Sequence, residues 1–203
     1  MFLRHALSHP LIVLGCAGAL LSACATTAPP TARQVGPYRE AIELSGRLAV
    51  NYERDGKNEA LSGKFNWRQS AERTDVSLAS PLGQTIAKIS VTPGAATLTQ
   101  NGQAPRSAAD IDALSAQALG WSLPVSGLRD WLQGYAVRAD GSRFVASPRQ
   151  DSVVTGDGWR LRYVSWQDEA SAYPQPKRID AERSAGPKAG AVAIRIVIDP
   201  AQP

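Results

Sequence analysis

The sequence predicts a mainly β fold. It reads as one curled antiparallel sheet of about nine to eleven strands, with two or three short helices placed mid-chain to cover the concave face. Three observations lead there. Apolar and polar residues alternate through most of the chain, glycine-containing turns punctuate the alternating runs, and helical spacing replaces the alternation only once, around residues 107–134.

In the first run, Ile42, Leu44, Gly46, Leu48, Val50 and Tyr52 fall on one face, and Glu43, Ser45, Arg47 and Asn51 on the other. That is a half-buried strand. Arg54-Asp55-Gly56-Lys57 carries an Asp-Gly hairpin signal. Leu61, Gly63, Phe65 and Trp67 then alternate with Ser62, Lys64, Asn66 and Arg68. Val76 and Leu78 mark a third strand, and Thr85, Ala87, Ile89 and Val91 a fourth. Beyond the Pro93-Gly94 turn, Ala96 and Leu98 mark a fifth, ending at Asn101-Gly102. Consecutive strands on short turns make an antiparallel meander.

Ser107-x-x-Asp110 has the form of a capping box. Ile111, Leu114 and Ala118 follow at helical spacing, and Gly120 can stop the helix. After Leu123-Pro124, Ser126 is the expected N-cap of a second helix, with Leu128, Trp131 and Leu132 on one face and Gly134 at its end. Strands resume at Phe144-Val145, Ser152-Val153-Val154 and Trp159-Leu161-Tyr163, with a turn at Gly156-Asp157-Gly158. Residues 168–176 read as a loop, Ile179 to Ala181 as a short strand, and Gly186-Pro187 as a turn. Val192, Ile194, Ile196 and Ile198 form the last strand. A sheet this wide tends to curl. A partly filled concavity would be a lipid-sized cavity, and a fully filled one an ordinary core.

The N-terminus is a separate matter. Arg4, His5 and His9 precede an apolar run from Leu11 to Leu20, followed by Leu21-Ser22-Ala23-Cys24. A basic region, an apolar region and small residues at a cut site read as a secretory signal, and the run is too short to span a bilayer. Leu-Ser-Ala-Cys resembles a bacterial lipobox, which implies cleavage before Cys24 and acylation of its thiol and new amine. An ordinary signal with an incidental cysteine is the competing reading. The expected layout is signal peptide 1–23, lipidated Cys24 with a Thr/Ala/Pro-rich flexible tether over 24–37, and one folded domain over 38–203.

Cleavage would remove His5, His9, Met1 and Cys16, leaving no histidine and a single, acylated cysteine. Serine–histidine and cysteine–histidine catalysis then lacks a base, zinc sites lack ligands, and no intrachain disulfide can form. Lys plus Arg falls from 22 to 21 against 18 acids, a net charge of +3. The charges are interspersed. No basic stripe with interleaved aromatics suggests nucleic acid. The carboxylate pairs Asp110/Asp112 and Asp168/Glu169 read better as a helix start and a solvated loop than as an acid–base pair. No enzyme activity, metal or cofactor is expected.

Ser80-Pro81-Leu82-Gly83 joins the third and fourth strands. Pro81 and Gly83 are ordinary turn residues. Leu82 is not, because a tight hairpin tip points into water and an exposed leucine forgoes about 1.5–3 kcal/mol of burial. It either folds back on the sheet edge or stands exposed, and beside a lipid anchor an exposed tip is a candidate for dipping into a bilayer or a partner.

Five pieces in order carry a family resemblance: Leu44-Ser45-Gly46-Arg47-Leu48-Ala49-Val50, Gly63-Lys64-Phe65-Asn66-Trp67-Arg68-Gln69, Ser80-Pro81-Leu82-Gly83, Leu119-Gly120-Trp121 with Leu123-Pro124-Val125, and Leu128-Arg129-Asp130-Trp131-Leu132-Gln133-Gly134. Behind its lipobox, the chain resembles the outer-membrane lipoprotein LolB family over about residues 40–200. The resemblance implies an incomplete, half-open antiparallel β-barrel with helices as a lid over an apolar cavity. It implies an outer-membrane, lipid-anchored receptor facing the periplasm, a monomer, that accepts lipoproteins from the soluble carrier LolA and inserts them into the outer membrane. It matches Leu82, flanked by Pro81 and Gly83, to the family's protruding-loop leucine, and Cys24 to the lipidated residue. Ala25 after that cysteine fits outer-membrane retention. Trp67, Trp131 and Trp159 match family tryptophans. The acyl-chain cavity would be lined by Leu48, Val50, Phe65, Trp67, Leu98, Leu128, Trp131 and Leu132. The rival reading is an envelope lipoprotein that docks a protein and has no lipid cavity.

Overall fold

The computed structural model describes residues 31–121, 123–186 and 190–201. The expected signal peptide, Cys24 and the tether as far as residue 30 lie outside the described residues, as does Pro187 of the expected turn.

The sheet starts from one long hairpin. β1 (Ile42–Arg54) and β2 (Lys57–Gln69) pair antiparallel along their whole length. Their two-residue turn places Asp55 at φ 52° and Gly56 at φ 72°, the doubly positive turn that matches strand twist. The meander continues through β3 (Thr74–Ala79), β4 (Thr85–Thr92), β5 (Ala95–Gln100) and β6 (Arg106–Ala108). α1 (Ile111–Leu119) and α2 (Val125–Trp131) follow, then a separate two-stranded sheet, β7 (Tyr135–Val137) with β8 (Arg143–Val145). β9 (Ser152–Val154), β10 (Arg160–Trp166), β11 (Pro176–Arg183) and β12 (Val192–Ile198) complete the chain.

The ten-stranded sheet runs β6-β5-β4-β3-β2-β1-β12-β11-β10-β9. Two meanders, one from each side of the helices, meet where β1 pairs antiparallel with β12, placing Leu48 opposite Ile196 and Val50 opposite Ile194. β6 and β9 are the two edges and do not pair with each other among the described residues, so the barrel is open, as the resemblance implies. Burial follows the alternation: Leu48, Val50, Phe65, Trp67, Val76, Leu78, Ile194 and Ile196 are all buried. Gly46 is needed for space rather than for flexibility. A Cβ there would lie 2.2 Å from the Val197 carbonyl oxygen and 2.7 Å from the Phe65 ring, so the missing side chain lets Phe65 lie across β1.

Several expectations are corrected. There are twelve strands among the described residues rather than nine to eleven. β6 is exposed at every position and has no apolar alternation to announce it, and β7 is three residues long. Ser107 does not cap α1. It sits in β6 with its hydroxyl 3.1 Å from that of Thr97, and the cap is Asp110, which accepts the Asp112 and Ala113 amides at 3.0 and 3.1 Å. Ser126 is not a cap either. α2 begins after Pro124 with no side-chain cap. The strand expected at Ile179–Ala181 extends over Pro176–Arg183, since proline is tolerated as a first strand residue.

The expected tether differs from a free linker over its described part. Val35 is buried and its amide donates to the Ala146 carbonyl at 3.1 Å. The Tyr135 hydroxyl donates to the Gly36 carbonyl at 2.6 Å. Residues 35 and 36 therefore lie against the β7–β8 sheet.

Candidate functional site

α1 and α2 sit over the concave face, and their own contacts explain how they hold together. The Ser126 amide donates to Asp112 Oδ1 at 3.2 Å, and the Ser126 hydroxyl donates to Asp112 Oδ2. Asp112 thus joins the start of one helix to the start of the next. Burial pushes its carboxyl above the ordinary range, against the lowering effect of the Ser126 hydrogen bonds. Inside this joint, the Ser115 hydroxyl is buried and contacts the Leu123 carbonyl at 3.0 Å. Further along α2, Arg129 reaches the sheet: Nη1 donates to the Thr74 hydroxyl and Nη2 to the Ser70 carbonyl, the latter at 2.9 Å. Gln133 exchanges hydrogen bonds with the Arg39 backbone at 2.9 and 3.0 Å. The helical layer is pinned at the β2–β3 turn and at the chain's entry into β1.

Between this layer and the sheet lies a small cavity. Its sheet wall is Leu48, Phe65, Trp67, Val76, Leu78, Ile194 and Ile196. Its other wall is Leu123, Leu128 and Leu132, from the segment carrying α2. Every lining side chain is apolar except for the indole nitrogen of Trp67, which donates to Gln69 Oε1 at 3.1 Å. The volume is about 20 Å³. That is the scale of one water molecule, and an apolar void of this kind stays dry. The hollow is therefore closed by the protein's own side chains, and the lipid-sized space is not open in this state.

Of the expected lining set, the fold brings Leu48, Phe65, Trp67, Leu128 and Leu132 to this cavity. Val50, Leu98 and Trp131 are buried elsewhere in the core. Trp131 packs edge-on against Trp159, with ring centres 5.6 Å apart. Val76, Leu78, Leu123, Ile194 and Ile196 were not among the expected lining residues. Their signal was available in part, since all but Leu123 occupy the inward positions of alternating strands. Nothing in the sequence singles out Arg129 or the Asp112–Ser126 joint.

Leu132 also lines a second, outer hollow of about 230 Å³, with Ile42, Leu44 and Ile198 as apolar floor and Arg39 and Gln133 at its rim. One leucine side chain is common to both spaces.

The β3–β4 connection is a tight turn. The Gly83 amide donates to the Ser80 carbonyl at 2.9 Å, and Gly83 has φ 88°. Leu82 does not fold back. It is 90% exposed. The carboxylate pairs considered above have other roles: Asp110 caps α1, Asp112 joins the helices, and Asp168 and Glu169 are exposed in a loop.

An open antiparallel sheet around an apolar interior, with a two-helix cover and an exposed apolar hairpin tip, defines a half-open β-barrel class of protein. Residues 40–200 match the family model described as Outer membrane lipoprotein LolB. The chain is 40% identical over 199 residues to the outer-membrane lipoprotein LolB of Cupriavidus pinatubonensis, covering 93% of this chain and 94% of that one. It is 39% identical over 195 residues to that of Cupriavidus necator, covering 95% and 97%. A LolA superfamily protein from Nitrosomonas europaea aligns in structure with a TM-score of 0.46 at 10% identity, over 83% of this chain and 87% of that one. This chain belongs to the outer membrane lipoprotein LolB family. Membership places it at the outer membrane, lipid-anchored and facing the periplasm.

Proposed function

We propose that this protein accepts lipoproteins from a LolA-like periplasmic carrier and releases them into the outer membrane, sheltering their acyl chains between the sheet and α2 with no bond made or broken. Residues 1–23 are its signal, Cys24 its lipidated residue, and residues 38–203 a monomeric body. The observation that supports this most is the cavity wall, whose lining side chains present hydrocarbon and aromatic surface to the hollow.

The size of the cavity sets the mechanism. A space of about 20 Å³ admits no acyl chain, so α2 must lift. Exposing Leu123, Leu128 and Leu132 to water costs about 1.5–3 kcal/mol each, about 4.5–9 kcal/mol together. An acyl chain gains about 0.8 kcal/mol per buried CH₂, so about six to eleven methylenes offset the opening. The cover therefore stays shut in water and opens around cargo. Handover without an energy source then requires each host to bind the chain better than the last, with the bilayer best of all. Leu82 offers the membrane an apolar contact at which release takes place.

The near-closed cavity also favours the second reading, an envelope lipoprotein that docks a protein without holding lipid. A fluorescent fatty acid separates the two. Displaceable, saturable binding to the body, with transfer from cargo-loaded carrier in a pull-down, supports the receptor. Carrier binding with no displaceable apolar site supports the docking module.

A further inference from the structure

We propose that the outer face of β1, β2 and β12, beside the 80–83 hairpin, is a docking surface for anionic phospholipid head groups. On this face charges on neighbouring strands are generally matched. Arg68 meets Glu43 at 3.0 Å, Arg160 meets Glu182 at 3.3 Å, and Arg195 meets Asp180 at 3.5 Å. One cross-strand position breaks the rule. Arg47 on β1 stands directly opposite Lys64 on β2. Both are exposed, and among the described residues neither forms an ion pair. Like charges directly opposite on paired strands destabilise a sheet, so the pair is not there for the fold.

The surroundings add to the field. Arg47 pairs with Val197 of β12, two residues beyond Arg195, so the three cations are neighbours on three adjacent strands. Among the described residues the one acid paired with these three cations, Asp180, is also held by Arg178 at 2.6 Å. Arg47, Ala49, Ser62, Lys64 and Arg195 line a shallow depression of about 410 Å³, and Pro81 of the hairpin completes its wall. The cations therefore sit next to the turn that carries the exposed Leu82. An apolar tip beside a cluster of cations matches a membrane surface, with hydrocarbon beneath and phosphate above. The face carries no aromatic side chain among these residues on which a base could stack, and the lipid anchor keeps it within reach of a bilayer. The inference rests on the outer-membrane placement and not on acyl-chain binding.

The test uses the full lipid-anchored chain. Since Cys24 is acylated in the proposed mature form and Cys16 is removed, Ser62→Cys supplies a single reactive thiol for a spin label in the depression. The labelled chain is placed in vesicles of phosphatidylethanolamine, with or without phosphatidylglycerol. The label is expected to become shielded from a water-soluble relaxation agent only when phosphatidylglycerol is present, and to be released by high salt. Arg47→Gln and Lys64→Gln should each lower the docked-to-free ratio about fivefold while leaving the melting temperature unchanged or raised, because a repulsion is removed. Equal shielding in both lipids overturns the proposal. So does shielding that appears only when the soluble carrier is added, which would assign the face to an acidic protein. Leu82→Glu keeps the readings distinct: a variant that fails in delivery yet retains the phosphatidylglycerol dependence separates the cations from the tip, and fatty-acid binding to the cavity is untouched by either result.

Discussion

Arg129 of α2 donates to the hydroxyl of Thr74 at the start of β3, and the same guanidinium donates to the Ser70 carbonyl at 2.9 Å. Thr74 is buried. This is a polar tie between the helical cover and the sheet, alongside that of Gln100 Nε2 to the Ala118 carbonyl at 3.0 Å. A charged hydrogen bond of this kind contributes about 1.5–3 kcal/mol. Arg129→Ala should lower stability by about that amount, with faster amide exchange in α2 than in β1 or β12. If exchange in α2 is unchanged, the tie does not hold the cover.

Leu132 lines both the inner cavity and the outer hollow. Leu132→Ala should cost about 2–5 kcal/mol, as large-to-small core changes do, and should join the two spaces. A fluorescent fatty acid is then expected to bind the variant more tightly and faster than the parent. Weaker binding would mean that Leu132 is a contact for the chain rather than a wall in front of it.

Leu82 touches little of the protein, being 90% exposed. Leu82→Glu should change stability by no more than about 0.5 kcal/mol and leave carrier binding intact while blocking delivery to membranes. Normal delivery by the variant, measured as cargo recovered with vesicles, would remove the tip from the mechanism.

Asp112 predicts a pH dependence. Burial raises its carboxyl above the ordinary aspartate value, so on acidification the folded chain takes up this proton before the unfolded chain does. The contribution of this group to stability therefore rises as pH falls through the raised folded value, and levels off below about 3.8. Asp112→Asn should remove that component from the pH profile of the melting temperature. A carboxyl-carbon NMR titration with a midpoint below 3.8 would contradict it.

Much of this was legible along the chain. The faces of β1, β2, β4 and β12 follow from alternation, the β1–β2 turn from Asp55-Gly56, and the β3–β4 turn from Pro81 and Gly83; that Leu82 stands exposed rather than folding back was decided by the tertiary structure. The capping of the helices was not legible. Ser107 and Ser126 have the residue type of a cap, yet Ser107 pairs with Thr97 across a strand, and Ser126 turns to a carboxylate fourteen residues away. Each hydroxyl found a better partner once the chain had folded, and no local pattern encodes that choice.

By itself, the sequence determined which side chains face inward, where the chain turns and which family it resembles, because period-two alternation and turn chemistry act over a few neighbouring residues. Only the tertiary structure decided that the hollow is closed to about 20 Å³, that Val50, Leu98 and Trp131 lie off its wall, and that Arg47 and Lys64 share an unbalanced patch beside the hairpin. Those outcomes depend on register between strands and on how deeply α2 seats. Close packing sets both, since a shift of one methyl group's depth opens or fills a space of that size.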